Sequence, residues 1–390
     1  MFIGSAGRFF TLFCIFLSCA LLYADRTEEK SDPLIVRAQS GDADAQLQLG
    51  KEYFQGVMRP SNRALALYYF KLAAKSGSPE AMFNIGMCYE YGAEFEPDRL
   101  TAFEWYDKAG NFTPALFKKA VFLEKGIPSQ KKKRSYKRGV PAAPEQAKNI
   151  LNELIKKEYP PALTHQARKL LRSALSREPE FAEAFKLLSI AVKKGDVSAY
   201  RLLADCYEWG MGCEKDEKQA LTLLLAAAKL GDGTSAAKLG TYYEFGIGTA
   251  PDMAKSVEFY KKSAELGEAV GMVQLAKHYS SGFILKTDLA KAIELCHQAA
   301  AMNERSAFTQ LALFHAGGIG MPKDEKKAFQ LLLKSAALGD PEAQYHLAFA
   351  FKNGKGTPVD ESGAIYWMTK SAALRYMPAV ELLKKWKTTK

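Results

Sequence analysis

Apolar residues recur along this chain at helical spacing, and the pattern restarts every 36 residues. Five consecutive blocks open at Gly195, Gly231, Gly267, Asn303 and Gly339; two more open at Gly41 and Gly77. With each opening residue counted as zero, position eight is leucine in Leu49, Leu203, Leu239, Leu275, Leu311 and Leu347. Position nine is glycine or alanine, and position twelve is tyrosine in Tyr53, Tyr89, Tyr207, Tyr243 and Tyr279. These residues fall about one turn apart and form one apolar stripe of a helix. The small residue at position nine lets a neighbouring helix come close. Glycine pairs such as Gly210/Gly212 and Gly246/Gly248 then stop the helix. An aspartate a few residues on (Asp216, Asp252, Asp288, Asp324, Asp360) suits the start of a second helix, which is again small at position 25 and bulky at position 28. One such pair cannot cover its own apolar face, so stacking must supply the core. The pattern predicts an all-α fold, an α-solenoid of stacked antiparallel helix pairs.

The 118 residues between Gly77 and Gly195 hold two further blocks and an insertion. NFTPALFKKAVFLEKG matches a first helix and AKNILNELIKK a second, and a more degenerate block, ALTHQARKLLRSALSREPEFAEAFKLLSIAVKKG, follows. The expected organisation is an N-terminal linker and first-helix entry over 25–40, nine repeats over 41–374 and a C-terminal capping helix over 375–390. The insertion, 128–144, separates the two helices of the third repeat. It carries Lys131, Lys132, Lys133, Arg134, Lys137 and Arg138, more than half of the net charge of +11. The basicity is therefore local, and no nucleic-acid partner is expected. The run reads as a protruding, flexible cationic loop, either solvated or in contact with an acidic surface polymer or lipid.

The N-terminus has the layout of a secretory signal peptide over residues 1–24: Arg8, an apolar run Phe9–Leu22 and the small Ala24. Fourteen apolar residues are short for a retained anchor, which needs about 20. Export is expected, to a bacterial periplasm or medium in preference to the endoplasmic-reticulum lumen, because the sequon Asn111-Phe112-Thr113 is followed by the unfavourable Pro114. Export permits disulfides. Cys88, Cys206 and Cys296 read as small core residues, while Cys213, seven residues beyond Cys206, leaves a local bridge open.

The pattern A-x-x-x-L-G-x-x-Y-x-x-G-x-G, then Asp, then K-A-x-x-x-Y/L-x-x-K-A-A, resembles the Sel-one-like repeat, a relative of the tetratricopeptide repeat. TYYEFGIGTAPDMAKSVEFYKKSAELG is similar to the family pattern over its whole unit. The resemblance spans about residues 41–375. It implies a right-handed superhelix that serves as an adaptor or scaffold for other proteins.

No catalytic constellation accompanies the repeats. The histidines His165, His278, His297, His315 and His346 fall at different repeat positions without metal-ligand spacing, so neither a metal nor a cofactor is expected. Ser129-Gln130-Lys131-Lys132 fits S-x-x-K, but the companion motifs of a β-lactam-acting enzyme are missing. A hydrolase or binder of cell-wall or β-lactam substrates is the alternative reading. The favoured one is a non-enzymatic scaffold that holds a protein or peptide on its first helices, which by analogy with related repeats line the concave face. Positions seven, ten and fourteen form a stripe beside the core stripe and supply Asn84, Lys238, Gln274, Gln310 and His346, then Lys51, Met87 and Lys277, with Tyr91, Trp209 and Phe245. Amides, cations and aromatics suit an extended peptide. The plainer alternative is a solvated face whose aromatics belong to the core.

Overall fold

Helix stops and starts set the architecture. In the last five repeats the first helix ends on a left-handed glycine, and a β-configured aspartate starts the second. The side chains of Asp216, Asp252, Asp288, Asp324 and Asp360 each accept a hydrogen bond at 2.9–3.0 Å from the backbone N–H three residues on. Each such cap is worth about 1 kcal/mol. The computed structural model describes residues 32–92, 96–132, 135–173 and 178–388. The expected signal peptide, residues 1–24, lies outside the described residues, as do Lys133 and Arg134.

The chain divides into two compact units, residues 1–162 and 163–390. In the first, α1 (Pro33–Gln39) precedes three antiparallel pairs: α2 (Ala43–Gln55) with α3 (Arg63–Lys75), α4 (Pro79–Tyr91) with α5 (Arg99–Lys108), and α6 (Thr113–Lys125) with α7 (Pro144–Lys156). The boundary falls inside α8 (Pro160–Ser173), which is followed by α9 (Glu178–Lys193). Five pairs complete the second unit: α10 (Val197–Trp209) with α11 (Glu217–Lys229), α12 (Gly233–Phe245) with α13 (Met253–Glu265), α14 (Ala269–Ser281) with α15 (Leu289–Ala301), α16 (Arg305–Gly317) with α17 (Glu325–Ala337), and α18 (Pro341–Asn353) with α19 (Glu361–Ala373). The last helix, α20 (Met377–Thr388), packs Ala379 against Ala348 and Met368 and covers the final pair. At the other end α1 covers the first pair with Ile35 and Ala38. The fold is the expected α-solenoid of antiparallel helix pairs.

Each repeat opens on a left-handed residue. Gly41, Gly77, Gly195, Gly231, Gly267 and Gly339 have φ between 82° and 97°, where glycine meets no Cβ penalty. Asn303, Glu158 and Arg375 take the same role at φ of 60°, 50° and 59°. Glu158 therefore opens the degenerate fourth repeat, 37 residues before Gly195.

Within a pair the closest approach is between position nine of the first helix and position 29 of the second. Where position nine is glycine, position 29 is aromatic: Gly50 faces Phe70, Gly86 faces Tyr106 and Gly240 faces Tyr260. A Cβ on any of these glycines would overlap the ring. Where position nine is alanine (Ala204, Ala276, Ala312, Ala348), position 29 is Leu224, Cys296, Leu332 or Met368. The ring's far end is matched as well. Tyr106 donates to Glu90 at 2.6 Å and Tyr260 to Glu244 at 2.8 Å, both at position thirteen, whereas Phe70 meets the ring of Phe54 there. Burial and the adjacent carboxylate push both phenols well above the usual tyrosine range. A second tie recurs at position 32, where buried Ser263, Ser335 and Ser371 donate to the carbonyls of Gly233, Arg305 and Pro341 at 2.9, 2.8 and 2.7 Å.

The basic insertion differs from expectation. It is a short antiparallel hairpin, β1 (Gln130–Lys132) with β2 (Ser135–Lys137), registering Lys131 opposite Tyr136. An isolated bridge pairs Ile127 with Val140 through hydrogen bonds of 2.8 and 2.9 Å. Ile127 is buried with Leu100, Tyr106 and Phe122. The fold is all-α apart from this short strand pair, and the insertion is rooted in the core instead of leaving it as a loop.

Two substitutions test this packing. Gly240→Ala is expected to cost about 1–3 kcal/mol by overpacking. Adding Tyr260→Leu, which recreates the Ala204/Leu224 pairing, should recover most of that loss in thermal unfolding. Ser335 also lies 3.1 Å from the Asp340 carboxylate and 2.8 Å from the Thr309 hydroxyl. Ser335→Ala should therefore cost about 1–3 kcal/mol and exceed Ser371→Ala when both are measured by denaturant unfolding.

Candidate functional site

In the second unit successive first helices touch one another, α12 with α14, α14 with α16 and α16 with α18. The ammonium of Lys277 on α14 reaches the Glu342 carboxylate on α18 at 3.5 Å, across the intervening α16. One ion pair thus spans three successive first helices on this face.

The two aromatics expected on this face are exposed. Trp209 is 70% and Phe245 68% exposed, at position fourteen of α10 and α12. In the first unit Tyr91, at the same position of α4, is 57% exposed. Its hydroxyl accepts a hydrogen bond at 3.1 Å from Lys118, whose ammonium also pairs with Glu90. The reading that placed these rings in the core is corrected. Each ends its helix beside the glycine turn, where no second helix covers it.

The remaining predicted residues divide between surface and internal use. The Lys238 ammonium lies between the carboxylates of Asp205 and Glu208, 2.5 Å from the latter, and Glu208 also accepts from the Tyr242 hydroxyl at 2.6 Å. Lys51 pairs with Glu80 at 2.6 Å. Gln310 is buried, so its amide is not part of the exposed face. Gln274 and Met87 are half-buried. Asn84 is also half-buried, and its Nδ2 has no hydrogen-bond partner among the described residues. His346 is half-buried, and burial holds its imidazole below the usual histidine range. In the hairpin, Lys131, Lys132 and Lys137 lie on the paired strands, and Arg138 follows them, exposed.

Sequence reasoning missed three residues of this face. With Glu158 as opener, positions seven, ten and fourteen of the fourth repeat are His165, Arg168 and Arg172 on α8; Arg201 of α10 is at position six of the next. The stretch EYPPA at 158–162 matches the openings GSPEA and GDPEA of the repeats at Gly77 and Gly339, with proline at the helix start and alanine at position four. That likeness carries the register. Burial, followed by the charges of Arg201 and Arg172, lowers the Arg168 guanidinium from its ordinary value.

Cysteine chemistry is not part of the site. Cys206 and Cys213 are free thiols, Cys213 donating to the Cys206 carbonyl at 3.5 Å, which corrects the local bridge left open by the sequence. Burial pushes the Cys88 thiol up to about 11 and those of Cys206 and Cys296 up to about 12, so none is a ready nucleophile at neutral pH. The Ser129 hydroxyl accepts from the Gly139 N–H at 2.9 Å, a turn-bracing contact at the hairpin base.

A family model for the Sel1 repeat matches seven segments, 43–78, 79–111, 197–232, 234–268, 269–304, 309–340 and 341–376. The third and fourth repeats, which lack the paired-glycine turn, are unmatched. Among solved structures, the chain is similar to a protective antigen of uropathogenic Escherichia coli that displays an SLR fold. They are 24% identical, with 90% of this chain and 81% of that one covered and a TM-score of 0.45. A Sel1 repeat protein from Oxalobacter formigenes is 27% identical over 57% of this chain and 86% of that one, with a TM-score of 0.48. Curated relatives include an uncharacterized protein of Neisseria meningitidis serogroup B, 26% identical over 175 residues, and Chitin synthase regulatory factor 3 of Schizosaccharomyces pombe, 28% identical over 183 residues. Each match covers 45% of this chain but only 34% and 19% of those proteins' own lengths. Seven matched repeats over more than half its length establish that the chain belongs to the Sel1 repeat family.

Proposed function

We propose that this protein is a non-catalytic scaffold that holds an extended protein or peptide segment on the first-helix face of its second unit. Sel1 repeat proteins commonly mediate protein–protein interaction, and the repeat is typically a non-enzymatic fold. The observation that carries the finer reading is the exposure of Trp209 and Phe245 at one register position of adjacent repeats. Burying a phenylalanine-sized side chain is worth about 1.5–3 kcal/mol, so two such rings left in water form a ready apolar contact. Trp is also among the residues that dominate binding energies at interfaces. On the same face Lys238 is paired with Glu208 and Lys277 with Glu342. Export, expected from residues 1–24, would place the partner outside the cytosol.

A peptide selected by phage display against the intact protein should bind the Trp209→Ala/Phe245→Ala variant at least about tenfold more weakly. The same variant should keep its thermal midpoint within about 2 °C, because exposed side chains contribute ~0.5 kcal/mol or less to stability. Unchanged affinity for the variant would overturn the reading.

A further inference from the structure

The cations of the first-helix face fall into two groups. Lys238 is held by Asp205 and Glu208, and Lys277 by Glu342. Arg168, Arg172 and Arg201 make no hydrogen bond or ion pair among the described residues, although Arg168 and Arg201 are half-buried. Arg168 and Arg172 are four residues apart and share one face of α8. Arg201, on α10, is close enough that its charge acts on Arg168. The two helices are tied at their starts by the Thr164 hydroxyl, which donates to the Asp196 carboxylate. Asp196 is also the carboxylate that acts on Arg168. Its oxygens accept from Thr164 and from the Ser198 N–H at 3.0 Å, and no ion pair joins it to any of the three arginines. Three like charges thus share this one neighbouring carboxylate, which leaves the cluster with an excess of positive charge.

We propose that Arg168, Arg172 and Arg201 form a receptor for carboxylate side chains, so that the peptide held on this face is an acidic one. The inference rests on the reading of the face as a peptide-binding surface and names the chemistry of its occupant. Guanidinium forks pair with carboxylates through two parallel hydrogen bonds, which a half-buried site strengthens. A polyanion such as nucleic acid would need a continuous basic track. Here the next repeat presents Asp205 and Glu208 around Lys238, and Trp209 stands at the position equivalent to Arg172. A short segment with Asp or Glu at one end and an apolar residue beyond matches that order of cations and ring.

The test compares two fluorescein-labelled peptides in anisotropy titrations of the full-length protein: a Glu-rich decapeptide with one central Phe, and its Gln-for-Glu counterpart. The wild type should bind the Glu peptide at least tenfold more tightly, with the margin shrinking as salt rises. Arg168→Gln/Arg172→Gln and Arg201→Gln should remove the preference, and Arg168→Lys should recover only part of it because the fork is lost. The thermal midpoint of the Gln variants should stay level or rise, since like-charge repulsion is relieved. Equal binding of the two peptides by the wild type, a preference that survives the Gln changes, or complete competition by millimolar inorganic phosphate would overturn the proposal. If the Trp209→Ala/Phe245→Ala variant then loses the Gln peptide, the face reading stands and only the arginine site falls. If neither set of substitutions alters binding of either peptide, both fall.

Discussion

In the seven repeats of regular period the helix pair closes where position nine of the first helix meets position 29 of the second. The separation available there is fixed by the sum of two side chains, so a glycine requires a ring and an alanine requires something narrower. The Gly86–Tyr106 and Gly240–Tyr260 pairs add a polar lock, because a buried phenol needs an acceptor and Glu90 or Glu244 stands over its hydroxyl. A constant spacing at this point keeps successive pairs in step and allows seven repeats to share a 36-residue period while differing in composition. The exposed rings Trp209 and Phe245 and the exposed Arg172 lie away from that contact, at position fourteen of their repeats.

Much of the fold was legible because helix periodicity and turn chemistry are local. The Asp caps at 216, 252, 288, 324 and 360 and the left-handed glycines before them sit where the pattern put them. The hairpin at 130–137 was not legible. Its strands, Gln-Lys-Lys and Ser-Tyr-Lys, show no apolar alternation, and an isolated bridge between Ile127 and Val140 closes their base. The opening residue of the fourth repeat was hidden for a related reason: it is a glutamate in a conformation that glycine signals elsewhere.

The candidate face was legible in outline and wrong in emphasis. Helical spacing assigned Trp209 and Phe245 to the stripe, but only three-dimensional placement could show that no neighbouring helix covers them. The same spacing assigned Lys238 and Lys277 without revealing that carboxylates one and two repeats away already engage them. Those partners are 30 or more residues distant in sequence and become adjacent through stacking. The arginines of α8 escaped notice because the repeat that carries them lost its glycines.

The contact between Lys277 and Glu342 changes what kind of spring the second unit is. A solenoid whose members touch only immediate neighbours bends and unfolds one element at a time. A clasp from α14 to α18 couples three pairs, so their shared curvature behaves as a single elastic element. Both ends of the clasp are partly solvated, and such pairs are weak and screened by salt. Higher ionic strength therefore loosens a contact between α14 and α18 while leaving the apolar packing of each pair in place.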